Sequence, residues 1–186
     1  MYLAKLAGTA LVLAGLLGFH DVASAQTPDN QLKEVQLGSN AFTLADPVPS
    51  WVDQAPLPEV TRPLPIVVRL AETQFLVGQV PAIHNRRATL INDTASLTAA
   101  GRVSISFAPE YERVQLHAIY IHRAAERLDR TPNLNVRFLR REQGLEQGVY
   151  SGRVTASILV DDLRVGDTLE IAYTTCLLYT SDAADE

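Results

Sequence analysis

The sequence has little of almost everything that marks a specialised chemistry. It holds one cysteine, one tryptophan and one methionine in 186 residues. A lone cysteine excludes an intrachain disulfide framework. Aromatic residues make up 6% and charged residues 20%, with a formal net charge of −5. That balance lacks the basic excess of a nucleic-acid binder. With 47% hydrophobic residues the chain is also too apolar to be disordered. Ten glycines and ten prolines exclude collagen and low-complexity architectures. No apolar run reaches transmembrane length. The longest, Leu6 to Phe19, has 14 residues, which as a helix spans about 21 Å against a hydrocarbon core of roughly 30 Å. What remains is enough chain for one ordinary domain.

Both ends stand apart from the middle. Lys5, the apolar run and the small-residue site Ala23-Ser24-Ala25 read as a secretory signal peptide. Cleavage is predicted between Ala25 and Gln26. The mature protein is then periplasmic or secreted, with no membrane span. At the other end, CLLYTSDAADE breaks off a strand pattern without relation to it. All of Cys176 to Glu186 resembles a translation of transposon-adapter DNA used in sequencing libraries, so an artefactual tail and a truncated reading frame are expected. Cys176 is thereby removed as a candidate nucleophile. The expected division is 1–25 signal peptide, 26–59 flexible Pro-rich leader, 60–175 β-sandwich domain and 176–186 artefactual tail.

Between the ends the pattern is β. Asp46 to Pro65 carries Pro47, Pro49, Pro56, Pro58, Pro63 and Pro65. Prolines at that density remove backbone donors and fix φ, so the stretch is extended and irregular. Trp51 within it is expected to dock onto a sheet as an anchor; stacking on a ligand is the sharper alternative. Ile66–Val68, Phe75–Val77 and Arg87–Ile91 are β-rich runs. Val103, Ile105 and Phe107 alternate with Arg102, Ser104 and Ser106, giving one dry and one wet face. Val114, Leu116 and Ala118 alternate likewise, after which the phase shifts to Ile119 and Ile121, as a bulge or a doubly buried strand requires. Val154 to Val160 and Leu169 to Tyr173 complete the set. No helical period is sustained outside the apolar leader. Seven to nine strands separated by turn signals predict an all-β fold, an antiparallel β-sandwich.

Four segments carry a family resemblance: Phe107–Arg123 (FAPEYERVQLHAIYIHR), Arg141–Arg153 (REQGLEQGVYSGR), Thr155–Thr174 (TASILVDDLRVGDTLEIAYT) and, more weakly, Pro49–Val52 (PSWV). From about Asp46 to Thr175 the chain resembles domain of unknown function family 3857. That domain sits N-terminal to the transglutaminase-like core of secreted bacterial proteins. The resemblance implies an all-β sandwich and a downstream papain-like Cys-His-Asp domain as partner within the same parent chain. It also implies motif positions at Glu110, Tyr111, His117, Glu142, Tyr150, Asp162, Arg164, Gly166 and Asp167, expected to be structural.

Other constellations were weighed against plainer readings. Asp162, Arg164, Gly166 and Asp167 suit a tight turn in which glycine supplies an unusual φ and the charges satisfy one another. An anion or metal site there is the alternative. His117 and His122, five apart, fall on opposite faces of a regular strand unless a bulge brings them together, and no cysteine or third ligand accompanies them, so no metal is expected. His84 reads as an isolated loop residue. Glu142 and Glu146 lie in a Gly-punctuated polar turn that implies no acid–base pair. Ser104, Ser106 and Ser157 lie on polar strand faces, none in a nucleophile elbow. Arg137, Arg140 and Arg141, with Arg130 nearby, make a modest basic patch. The sequence therefore points to no catalytic residue, cofactor or metal. It supports a non-catalytic exported accessory domain, with a periplasmic binding module for cell-wall peptide, glycan or a protein partner as the alternative. A hydrolase built on Glu142, Glu146 or the histidines ranks last.

Overall fold

The computed structural model describes residues 32–60, 62–141 and 152–178. Among them are ten strands: β1 (Leu32–Glu34), β2 (Phe42–Leu44), β3 (Ile66–Leu76), β4 (Ala82–Ile91), β5 (Arg102–Phe107), β6 (Glu112–Arg123), β7 (Glu126–Asp129), β8 (Val136–Arg141), β9 (Val154–Leu159) and β10 (Thr168–Leu177). One four-residue helix, α1 (Leu97–Ala100), precedes β5. The strands form two layers. One sheet has the order β1-β8-β9-β5; the other runs β2-β6-β10-β4-β3, with β7 paired to β6. All pairings are antiparallel except β2 with β6.

The sandwich follows from the period-two pattern. Along β5, Val103, Ile105 and Phe107 are buried while Arg102, Ser104 and Ser106 are exposed. Phe107 meets Leu116, Ile119 and Ile121 of β6 and Ile158 of β9 in one continuous core. Burying a side chain of that size is worth roughly 1.5–3 kcal/mol. Two short runs expected separately, Ile66–Val68 and Phe75–Val77, join into the single long strand β3.

Residues 32–59 of the segment read as a Pro-rich leader make sheet contacts. They supply β1, which pairs with β8, and β2, which pairs with β6. Phe42 of β2 packs against Phe107 and Phe138 at 6.0 and 5.3 Å between ring centroids. Three-residue strands are too short to show a period, which is why only tertiary pairing reveals them. The Pro-rich stretch after β2 lies across the outer face of the six-stranded sheet. At the other end, β10 continues through Cys176 and Leu177, two residues past the expected boundary, between β4 and β6.

Gly101 joins α1 to β5 at a close approach. A Cβ there would sit 2.9 Å from the Val160 carbonyl oxygen and 3.2 Å from Leu163 Cδ1. That carbonyl belongs to the residue whose N–H donates to Gly101 O at 2.8 Å, so the contact cannot open without straining the β5–β9 ladder. Gly101→Ala is expected to cost about 1–3 kcal/mol, the range for overpacking. Urea denaturation measures it, and an unchanged midpoint would mean the loop yields freely.

Candidate functional site

Polar side chains gather on the face of the six-stranded sheet that turns away from the core. Two bulges put them there. β6 carries one more residue than β10 between Leu116 and Ala118, so His117 is the extra residue. β3 carries one more than β4 between Val68 and Leu70, so Arg69 is the extra residue. A bulge reverses strand phase and re-aims a side chain. His117 and His122 were expected on opposite faces; the bulge at His117 brings both onto this one. The phase shift read from the sequence is this bulge.

His84, expected in a loop, is a buried β4 residue only 1% exposed. Its Nδ1 lies 3.0 Å from Thr174 Oγ1, which lies 2.7 Å from His117 Nε2. His117 Nδ1 lies 3.0 Å from the Asp46 carbonyl oxygen. A carbonyl only accepts, so His117 Nδ1 carries a proton and donates. Its neutral Nε2 then accepts from the Thr174 hydroxyl, which in turn accepts from His84 Nδ1–H. This assignment takes both imidazoles as neutral. Their titration agrees. Burial, reinforced by His117 and Arg86, depresses His84 to about 4. Burial also lowers His117, against the opposing carbonyl of Asp46. His84 Nε2 is buried without a hydrogen-bond partner.

A second polar row runs beside the first. Glu170 of β10, also buried, accepts from Arg86 Nε at 2.6 Å and pairs with His122 Nε2. Burial pushes the Glu170 carboxyl up, but these two partners outweigh it and hold it below its ordinary range.

Residues 46–59 form a strap over both rows. A proline-rich segment offers carbonyl oxygens and few N–H groups, so the surface receiving it must donate. Arg86 Nη1 donates to Ala55 O at 2.5 Å, and Arg69 Nε and Nη2 donate to Pro58 O at 2.9 and 2.7 Å. Gln74 Nε2 donates to Asp53 O at 2.6 Å while Asp53 N–H returns a bond of 2.9 Å to Gln74 Oε1. Trp51 meets the His84 ring edge-on at 6.4 Å, the anchoring expected of it. The two bulged residues, Arg69 and His117, are among those that grip the strap.

The Asp162–Asp167 turn is a brace, and its partners differ from those expected. Arg164 does pair with Asp162, at 2.9 Å, and its N–H donates to Asp167 Oδ2 at 2.8 Å. The side-chain partner of Asp167 is instead Arg123 of β6, which grips both carboxylate oxygens at 3.0 and 2.8 Å. Arg123 Nη2 also donates to Asp162 O at 2.6 Å, and Arg130 Nη2 reaches Asp162 Oδ2 at 2.8 Å. Asp162 and Gly166 have φ of 59° and 91°, so the glycine expectation holds. Two members of the expected basic patch are paired: Arg130 belongs to this brace and Arg137 pairs with Glu34 of β1 at 2.8 Å. Sequence separation hid these pairs, since no local spacing links residue 123 to 167.

Glu110 and Tyr111 form the β5–β6 turn, where Tyr111 N–H donates to Ala108 O at 3.1 Å. It is Glu112, not Glu110, whose carboxylate accepts from Ala108 N–H, at 2.6 Å. Glu142, Glu146 and Tyr150 lie outside the described residues. Among the described residues no group of three or more histidines, cysteines, aspartates or glutamates could hold a metal ion, and no helix is long and apolar enough to cross a membrane.

One cleft opens between the sheets, with a volume of about 580 Å³. Its walls include Thr73, Asn85 and Arg87 on one side and Arg102 and Ser104 on the other, over a floor of Ile171 and Tyr173. No histidine or cysteine lines it. Burial raises the Tyr173 phenol above its ordinary value.

Comparison with known proteins places this architecture. No curated protein matches the chain by sequence. A crystal structure described as a "putative protease" from Parabacteroides distasonis shares the fold, with a TM-score of 0.53 and 9% identity. The match covers 61% of this chain but 23% of that one, so this chain corresponds to under a quarter of that protein's length. The profile of a domain of unknown function with solved structures, DUF3857, matches residues 82–183. The matched region contains the segments Phe107–Arg123, Arg141–Arg153 and Thr155–Thr174, and leaves Pro49–Val52 outside. It spans more than half of the sequence, and the chain belongs to the DUF3857 family.

Proposed function

We propose that this protein is a non-catalytic, exported accessory domain that packs against a transglutaminase-like core downstream in the same parent chain. The observation that carries this reading is the placement of exposed apolar residues where β10 leaves the sandwich. At the β3–β4 turn, Phe75 is 67% and Val77 91% exposed, with Leu76 and Val80 also exposed, and Tyr111 is exposed at the β5–β6 turn. Thr175 pairs with Ile83 of β4 and Val114 of β6, so β10 leaves the sheet beside this cluster. Contiguous exposed apolar surface of this kind marks an interaction face.

The disposition of titratable groups supports the same reading. His84, His117, His122, Glu170 and Asp167 all serve contacts between strands or with the strap. The one run of hydroxyl, imidazole and orienting carbonyl, Thr174–His117–Asp46, is closed to substrate, with Thr174 only 1% exposed. The likeness to part of a longer protein described as a protease is consistent with a neighbour that does the chemistry. Export rests on the Lys5 to Ala25 pattern.

Three measurements test the proposal. Sequencing genomic DNA across the Thr175 codon is expected to reveal a continuing frame that encodes a Cys-His-Asp domain. Mass spectrometry of the protein expressed in a Gram-negative host is expected to find Gln26 at the N-terminus. The purified chain is expected to turn over no peptide or glycan substrate. A genomic stop codon after Glu186, an intact Met1 or substrate turnover would each defeat the corresponding part.

A further inference from the structure

We infer that the cleft beside β5 accepts an extended acidic polypeptide segment, which adds as a fifth strand to the four-stranded sheet. The two layers are unequal. The larger sheet has five strands on its main path and the smaller four, ending at β5. Of β3 and β4, only Ile91 belongs to the continuous core, so among the described residues no strand covers the inner face of these two beyond β5. The cleft is that missing position.

The β5 edge is open and regular. Val160 N–H donates to Gly101 O, and these residues lie one step beyond the pair Arg102↔Leu159. In an antiparallel ladder, hydrogen-bonded and non-bonded pairs alternate. The pairs 103/158 and 105/156 therefore exchange bonds, and Arg102, Ser104 and Ser106 direct their N–H and C=O groups away from β9. Ser106 O is taken by Arg153 Nη2 at 2.8 Å. Arg102 and Ser104 are left facing the cleft.

Exposed strand edges are normally blunted by brevity, bulges or cover. At the far end of this sheet, β1 is three residues long. In the other sheet, β3 is bulged at Arg69, whose side chain holds the strap. β5 has six residues, unbroken register with β9 and neither proline nor lysine.

Charge selects the occupant. Arg87 and Arg102 both line the cleft and both are exposed. Among the described residues neither takes part in an ion pair with a carboxylate, in contrast to Arg86, Arg123, Arg130 and Arg137. Acidic side chains on the outer side of an added strand would meet Arg102, and any on its inner side would meet Arg87, since the two arginines face the cleft from opposite walls. Its inner residues would rest on Ile171 and Tyr173. Strand addition takes affinity from main-chain bonds and specificity from alternate side chains.

The test is an NMR titration of the full chain, isotopically labelled. The probe is an acetylated, amidated seven-residue peptide alternating glutamate and valine. Saturable binding is expected, with amide shifts concentrated at residues 102–106 and 85–89 and slowed exchange at the Arg102 and Ser104 amides. Arg87→Glu combined with Arg102→Glu is expected to weaken binding at least about tenfold without lowering the melting temperature. If that variant melts early, Arg87→Gln with Arg102→Gln replaces it. Equal binding by a lysine–valine peptide overturns the charge selection. Equal binding by a peptide N-methylated at alternate residues overturns strand addition and leaves only an anion site. Absence of saturable binding, or shifts confined to the β3–β4 turn, overturns the proposal as a whole.

Discussion

Arg123→Ala is expected to lower the urea midpoint of unfolding clearly, because removing one partner of an ion pair leaves the other uncompensated. The reason lies in what is left behind. The Asp167 carboxylate is buried, with its side chain 2% exposed. Burial pushes its pKa up, yet the Arg123 guanidinium and the Arg164 N–H outweigh that and hold it below its ordinary range. Without Arg123 the charge stays buried with one backbone donor. The turn would lose its tie to β6, and Asp162 would lose one of three arginine partners. Urea denaturation of wild type, Arg123→Ala, Asp167→Asn and the double variant gives the coupling directly. An unchanged midpoint for Arg123→Ala would show that the turn relaxes and lets water reach Asp167. The pH dependence has a definite sign. A carboxylate with a depressed folded pKa stabilises above its unfolded value of about 3.9. That contribution disappears as pH falls through the folded value, so Arg123→Ala should matter most near neutrality and least in strong acid.

Acid is expected to weaken the protein well before its carboxylates titrate, through the strap. His84 is neutral in the folded state and holds its proton only below about 4, whereas an unfolded histidine titrates near 6.5. Between these values the unfolded chain binds the extra proton and the folded chain does not. Stability from the neutral form is therefore complete above about 6.5, falls as pH drops, and is exhausted near 4. The interval corresponds to about 3 kcal/mol at 1.36 kcal/mol per pKa unit. His117 adds in the same direction. Against a total stability of 5–15 kcal/mol such a loss is large. Trp51 is the only tryptophan and it packs on His84, so its fluorescence reports the strap itself. Urea midpoints followed at Trp51 from pH 7.5 to 4.2 should fall steeply, and His84→Gln should flatten the slope. A midpoint independent of pH between 7 and 5 would refute the neutral, buried assignment.

Much of the sandwich was legible from residue order. Alternation in β5, the phase shift in β6 and the apolar runs of β9 and β10 are local signals, because a sheet with one buried face repeats every second residue. Gly166 at a left-handed turn and Trp51 as an anchor are equally local. β1, β2, β7 and β8 were not recognised. Three are only three or four residues long, and β8 reads VRFLRR, whose arginines masked its alternation behind the appearance of a basic patch.

The sequence by itself determined a β-sandwich, its strand faces and its family resemblance, since these depend on patterns within a few residues. Only the tertiary structure decided the rest. It turned a proline-rich leader into a strap, because carbonyls without reciprocal donors must find donors on another element. It brought Arg123 to Asp167 and His84 to His117, pairs separated by 44 and 33 positions, because charge and hydrogen-bond partners are chosen by distance in space. It also left β5, among the described residues, with a neighbour on one edge only, a consequence of unequal sheet widths that no single strand encodes.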